Sequence, residues 1–316
     1  MMASELEFYL FENSFREVSD RGFPAIGTQS AHAIDYHILE TGYVEEIIRK
    51  IRNTMSETGI PVESSKGETG RGQHEIALEY AEALESADRH VLYKLGTKTI
   101  AAEAGKSVTF MAKYTELDAG SSCHIHCSLE NAETGENSFG GGPDGTGSSL
   151  FRHFLGGLIR LSGDFFLFFA PTVNSYKRYT PGSFAPTRLA WDYDNRTASF
   201  RVVGEGSSFR IENRMPGADA NPYLAYAATL AAGMYGVRHK IEPPERSGGD
   251  AYKNSHLKPL PASLEEAADR LEASDAAREL FGSDVVDHYV RHARLESEAY
   301  RRVVGEWELK RYFERI

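Results

Sequence analysis

The sequence of 316 residues predicts an α+β domain, with strands dominating its middle and a helical C-terminal region from about residue 262. Three features carry that expectation. Segments that alternate between apolar and polar residues recur at Glu5 to Phe11, at Cys123 to Leu129 and over 187–214. Helical spacing marks 41–59, 83–96 and Asn221 to Tyr235. No internal repeat and no shift in composition divides the chain, so residues 1–316 read as one domain.

In chain order, Glu5–Phe11 reads as a strand and 12–35 as loop, with Gly and Pro in "DRGFPAIGTQ". The helix over "TGYVEEIIRKIRNTMSETG" ends at a glycine, and short extended pieces around glycine turns follow it to Tyr80. A helix over Ala83–Gly96 precedes strands at Lys106–Lys113 and Cys123–Leu129. The Gly-rich stretch 130–149 reads as a surface loop and matches no P-loop or dinucleotide fingerprint. Leu150–Pro171 reads as a buried helix, and 187–214 as hairpin strands. Asn221-Pro222 opens an Ala-rich helix with proline in its first turn. Ser263 and Glu266 stand at capping-box spacing, and helical turns run from there to Ile316.

Composition narrows the class. The chain is 41% hydrophobic and 26% charged, ordinary for a globular protein with a sizeable core. A net charge of -11 argues against a nucleic-acid partner, which needs clustered Lys and Arg, and suits metal cations. Leu150–Pro171 carries Arg152, His153, Arg160 and Asp164, too many charges for a membrane span. No secretory signal is visible in "MMASELEFYLFE", so a reducing cytoplasm is the expected compartment and a Cys123–Cys127 disulfide is not expected.

"SSCHIHCSL" holds both cysteines around two histidines. Strand alternation puts Cys123, Ile125, Cys127 and Leu129 on one apolar face and His124, His126 and Ser128 on the other, which separates the thiols from the imidazoles. A mixed Cys/His zinc site is thereby disfavoured. Carboxylates offer the histidines partners instead: Glu5 and Glu7 at i, i+2, Glu68 and Glu75 around "ETGRGQHE", and Glu212 in "RIENR". Several glutamates with one histidine suit Mg²⁺ or Mn²⁺, whereas Glu5 and Glu7 alone would read as a solvated edge. Arg178, Arg188, Arg196, Arg201, Arg210 and Arg214 concentrate positive charge in an acidic chain. Carboxylates for metal and arginines for anions are what phosphoryl transfer requires; the alternative is scattered salt bridges.

"ELEFYLF", "GETGRGQHEI", "GSSCHIHCSL", "NSYKRYTPGSFAP", "DNRTASFR" and "RIENRMPGADANPYLAYAATLAAG" occur in the order found in glutamine synthetases and related γ-glutamyl ligases. Over roughly residues 4–235 the chain resembles that family. The resemblance implies a curved, mainly antiparallel sheet backed by helices. It implies an ATP-dependent ligase that phosphorylates the glutamate γ-carboxylate before an amine attacks the acyl phosphate. By motif position, Glu7, Glu68 and Glu75 would hold one divalent ion, and Glu5, His124 and Glu212 the other. Arg178 and Arg214 would face glutamate and its developing phosphate, Arg196, Arg201 and Arg210 the ATP phosphates, with Arg196 and Arg214 catalytic. His126 and Ser128 would line the nucleotide site, and Gly120 would lie where backbone approaches the amino acid. A homo-oligomer, a ring in the family, is implied as well.

The chain also departs from the family pattern. The β-grasp domain that precedes the first strand in family members is expected to be absent from residues 1–316. The flap motif reads "PGSFAP", with Phe184 where glutamine synthetase has the glutamate that binds and deprotonates ammonium. A phenyl ring packs on an alkyl chain or offers a cation–π contact instead. Ala119 replaces an asparagine expected five residues before His124. These changes favour a relative using a larger amine, of the γ-glutamylpolyamine, ethanolamide or methylamide kind. The alternatives are an ammonia-using glutamine synthetase and a non-catalytic homologue that keeps the fold. Lys258, at the position of a modifiable tyrosine in some members, predicts no adenylylation control.

Overall fold

A computed structural model of the protein describes residues 1–23, 27–140 and 146–315. The first half runs β1 (Met2–Phe11), α1 (Phe15–Asp20), α2 (Ile38–Gly42), α3 (Glu45–Glu57), β2 (Val62–Gly67), β3 (Gln73–Leu78), α4 (Ala83–Glu103), β4 (Ser107–Thr109) and β5 (Cys123–Cys127). The second runs α5 (Ser149–Leu161), β6 (Trp191–Tyr193), β7 (Phe200–Val203), β8 (Arg210–Asn213), α6 (Pro222–His239), α7 (Leu264–Glu272), α8 (Asp275–Phe281), α9 (Ser283–Arg301) and α10 (Glu306–Tyr312). The strands form one sheet in the order β2-β3-β1-β5-β8-β7-β6, with β4 paired to the far end of β1.

β1 is the centre of that sheet. Its Leu6, Phe8 and Leu10 alternate onto the helix-covered face and join the main core, so Glu5, Glu7 and Tyr9 are turned to the opposite face. Cys123, Ile125 and Cys127 of β5 belong to the same core, and both cysteines are free thiols. α5 and α6 cross backbone to backbone: a Cβ on Gly157 would stand 2.1 Å from the Ala232 carbonyl oxygen, so only glycine permits this approach.

Several expectations change. Within the stretch read as loop, Ser14 and Glu17 close a capping box that starts α1: Ser14 N donates to Glu17 Oε2 at 2.8 Å and Glu17 N to Ser14 Oγ at 3.3 Å. The helix expected over 41–59 is split into α2 and α3, and α4 runs seven residues past Gly96 to Glu103. Only Ser107–Thr109 of Lys106–Lys113 pairs as a strand. Residues 187–214 are not a set of hairpins: β6 and β7 are parallel, because 194–199 loops back to set Phe200 beside Trp191, and only β7 and β8 are antiparallel. The Leu150–Pro171 helix stops at Leu161 and continues as a 3-10 turn at Phe166–Phe168. Asn221 caps α6 as expected, its Oδ1 accepting from Tyr223 N at 3.0 Å. Parts of two expected loops, residues 24–26 and 141–145, lie outside the described residues. No described helix is long and apolar enough to cross a membrane.

His90 of α4 sits fully buried with Nδ1 3.1 Å from Ser4 Oγ, and burial pulls its pKa down to about 3. The folded chain therefore resists a proton that the unfolded chain accepts near pH 6.5. Stability is full above that pH and is lost as pH falls below it. His90→Gln is expected to remove about 1.4 kcal/mol of the stability lost between pH 7.5 and 5.5, read from urea midpoints.

Candidate active site

The sheet register assembles the charged residues of the open face. Across neighbouring strands Lys66 opposes Glu75, Glu75 opposes Glu7, Glu5 opposes His124, His126 opposes Glu212, and Glu212 opposes Arg201. Cross-strand partners share a face, so one polar row runs from β2 to β7. Above it lies a cavity of about 550 Å³.

Of the residues the sequence singles out, Glu5, Glu7, Glu68, Glu75, His124 and Glu212 line that cavity, with Gly120, Arg178, Phe184, Arg196, Arg201 and Arg214. His126, Ser128 and Arg210 do not reach its lining. His126 Nε2 lies 3.1 Å from Glu5 Oε1, and Arg210 Nε donates to His126 Nδ1 at 3.0 Å, so both buttress the row from its edge. Ser128 lies just beyond β5, with its N donating to the Met1 carbonyl at 3.0 Å. Arg188 leaves the constellation, because its Nη1 donates to the Leu257 carbonyl instead.

Glu212 is fully buried and is held from three sides. Arg214 Nη1 donates to Oε1, Arg201 Nη1 donates to Oε2 at 2.9 Å, and His124 Nδ1 lies 3.3 Å from Oε1. Burial alone would raise its pKa, but the Arg214 charge and the two histidines bring it to about 2. Glu5 likewise ends well below the usual carboxylate range, because His124 and His126 outweigh its burial. The opposite holds one strand away. Burial and the Glu7 carboxylate push Glu68 up to about 8. Burial, then Glu5, Glu7 and Glu68, hold Glu75 well above its usual value. Glu7 is anchored by Ser122 N at 2.8 Å and Gln73 Nε2 at 2.9 Å. The site thus holds a band of mutually repelling carboxylates beside an arginine-neutralised one.

Such repulsion is relieved by a cation, and an oxygen-rich set with one or two imidazoles fits a hard divalent ion. The tightest groups differ from those the motifs imply. Glu5, Glu75 and His124 form one set with ligand atoms within 4.8 Å, and Glu5, His126 and Glu212 form another. His126 is therefore close enough to share a cation with Glu212.

Gly120 is required where it stands: a Cβ there would lie 2.5 Å from Arg178 Cγ and 2.7 Å from the Ala112 oxygen. Arg178 is itself buried, with Nη2 donating to the Met215 and Pro216 carbonyls at 2.6 and 2.9 Å. Sequence reasoning missed the residues that hold the Gly120 loop. Arg71 forks onto Asp118 at 3.0 Å through both Nε and Nη2. Tyr9 OH donates to the Ala119 carbonyl at 2.6 Å, and Gln73 Nε2 to that of Gly120 at 3.1 Å. Gln73 was legible, being two residues from Glu75 on the same strand face. The Arg71–Asp118 pair spans 47 residues and leaves no local signal.

A family model described as "Glutamine synthetase, catalytic domain" matches residues 1–312. The chain belongs to the glutamine synthetase family. Among the members of that family it is similar to gamma-glutamylethanolamide synthetase GlnA4 of Streptomyces coelicolor, at 48% identity over 315 residues, which cover 100% of this chain and 67% of GlnA4. Glutamate–isopropylamine ligase of Pseudomonas sp is 38% identical over 319 residues, covering 99% of this chain and 69% of the ligase. The solved structure of ligand-free GmaS aligns with a TM-score of 0.87 at 30% identity, over 99% of this chain and 72% of GmaS. The glutamine synthetase catalytic fold is thus borne out, as a mainly antiparallel sheet of eight strands backed by ten helices among the described residues.

Proposed function

We propose that this chain is an ATP-dependent γ-glutamyl ligase that joins the glutamate γ-carboxylate to an organic amine. The observation that carries the acceptor class is Phe184, an uncharged ring on the cavity rim whose carbonyl accepts from Arg214 Nη2 at 3.4 Å. Relatives named for an ethanolamide product and for an isopropylamine substrate support it.

Two bond exchanges make up the reaction. A γ-carboxylate oxygen attacks the terminal phosphorus of ATP and ADP departs. The acceptor, arriving as an ammonium, loses one proton, its free amine attacks the acyl carbon, the C–O bond to phosphate breaks, and the nitrogen gives up a second proton to leave the neutral amide. Arg178 and Arg214 bind glutamate and the charge that develops on its phosphate. Arg196 and Arg201 meet the ATP phosphates; Arg196 has no ion pair or hydrogen bond among the described residues, so it is available to an anion. Arg210, His126 and Ser128 support the nucleotide side from the edge of β5 and β8. Glu5, His124 and Glu212 would hold one divalent ion and Glu7, Glu68 and Glu75 a second, Mg²⁺ or Mn²⁺, which supply positive charge against the phosphates when bound. A cytoplasmic homo-oligomer is the setting the family resemblance supports. The non-catalytic alternative has against it the retention of carboxylates that destabilise the metal-free chain.

The test is glutamate-dependent phosphate release from ATP with methylamine, isopropylamine, ethanolamine, polyamines and ammonia. At least one organic amine is expected to exceed ammonia about 10-fold in kcat/KM, about 1.4 kcal/mol of discrimination. Ammonia exceeding every amine would overturn the acceptor class. Arg71→Ala is expected to raise the glutamate KM about 10-fold by freeing the Asp118–Gly120 loop, with Mn²⁺ affinity held within twofold. An unchanged KM would show that the loop stands without the fork.

A further inference from the structure

Resting on the two-ion reading, we infer that Lys66 is a displaceable counter-ion of the carboxylate cluster: its ammonium competes with a divalent ion for Glu75, and the ion enters the Glu7–Glu68–Glu75 site as Lys66 swings away. Lys66 lies directly across the strand pair from Glu75. Its Nζ stands 2.8 Å from Glu75 Oε1, and the two side chains are 28% and 3% exposed. Glu7 is met by neutral donors, Ser122 N at 2.8 Å and Gln73 Nε2 at 2.9 Å. Among the described residues, Lys66 makes the one ion pair that reaches Glu7, Glu68 or Glu75. Its charge favours the ionised form of Glu68 as well as that of Glu75.

Ammonium and ion compete for the same carboxylate. Mg²⁺ binds a carboxylate oxygen at about 2.1 Å, so an ion on Oε1 would lie no more than about 5 Å from Nζ. At that range, in a buried site, a double and a single positive charge repel strongly. The fold leaves the ammonium a way out. Lys66 and Tyr36 line both the main cavity and a smaller one of about 190 Å³, which Glu45 and Ser65 also line. The Tyr36 ring centroid lies 5.6 Å from Nζ, and the residue is half exposed. A flexible four-carbon stem lets the ammonium pass from one cavity to the other while it keeps to the aromatic face.

The arrangement has two effects of opposite sign. The seated ammonium offsets repulsion among carboxylates that burial makes costly. An ion that enters gives up that contribution, so it is held more weakly than the carboxylates alone would hold it. The two effects match in size, because seated ammonium and bound ion exclude each other.

In calorimetric titration, Lys66→Met is expected to bind one of its two Mn²⁺ ions about 10-fold more tightly than wild type does. In chelator it is expected to melt about 2–4 °C lower, and with saturating Mn²⁺ within about 1 °C of wild type. Equal Mn²⁺ affinities, with both proteins binding two ions, overturn this inference alone. A fall in melting temperature that is the same with and without Mn²⁺ overturns it too, since the ion pair would then be permanent. Uptake of no Mn²⁺ by either protein overturns the two-ion reading, and the inference with it. Wild type supplies a measurement that needs no variant to fold. Acetylation of Lys66 by acetic anhydride, read by mass spectrometry against Lys310, whose side chain is 73% exposed, is expected to quicken about 3-fold when Mg²⁺ is added. An unchanged rate would show that the ammonium stays on Glu75 and would overturn the displacement.

Discussion

Replacing Glu212 by glutamine is expected to destabilise the metal-free chain by about 3–5 kcal/mol, the cost of breaking a buried ion pair by removing one partner. Glutamine keeps the shape of the side chain but not its charge. Arg214 is 4% exposed and would be left with a buried guanidinium facing a neutral amide, while Arg201 retains Asp194 at 2.5 Å. Calorimetry should show a melting temperature lower by on the order of 10 °C. A loss below about 1 kcal/mol would mean that water screens Arg214, contrary to its burial. The double variant Glu212→Gln/Arg214→Met is expected to recover at least half of the loss, because it removes the stranded charge. Activity should vanish in both, since Glu212 stands in one of the two carboxylate–imidazole groups.

Glu68→Gln is expected to act with opposite signs on stability and on metal affinity. Burial and the Glu7 charge work against the Glu68 carboxylate, so a neutral amide there relieves repulsion in the metal-free chain. The melting temperature without metal should rise, by about 2–4 °C per kcal/mol relieved. Mn²⁺ affinity should fall about 100-fold or more, since removal of a ligand exceeds the effect of removing a supporting group. Titration of Mn²⁺ against both proteins, with melting curves in chelator, reads the two signs. A lower melting temperature together with unchanged Mn²⁺ affinity would make Glu68 a structural residue and would favour the non-catalytic reading.

Local patterns foretold much of this architecture. The alternation in "ELEFYLF" and "CHIHC" predicts that Glu5 and Glu7, and His124 and His126, turn away from the apolar rows, and both strands do so. Asn221-Pro222 marks a helix start because the cap bond spans two residues. The Ser14–Glu17 capping box was equally local, yet surrounding glycines and prolines drew the segment toward loop. The parallel pairing of β6 and β7 was not legible, since alternation looks the same in either direction.

By itself, the sequence determined which side chains face together along each strand, where most helices begin, and which residue types are present for metal and phosphate chemistry. Only the tertiary structure decided how those rows meet. Register brings Glu5 to His124 and Glu7 to Glu75 across gaps of 119 and 68 residues, and the Arg71–Asp118 fork and the Tyr36 and Phe184 backbones depend on the same closure. The reason is range: alternation and capping act over a few residues, whereas pairing between distant strands is chosen by the packing of the whole core.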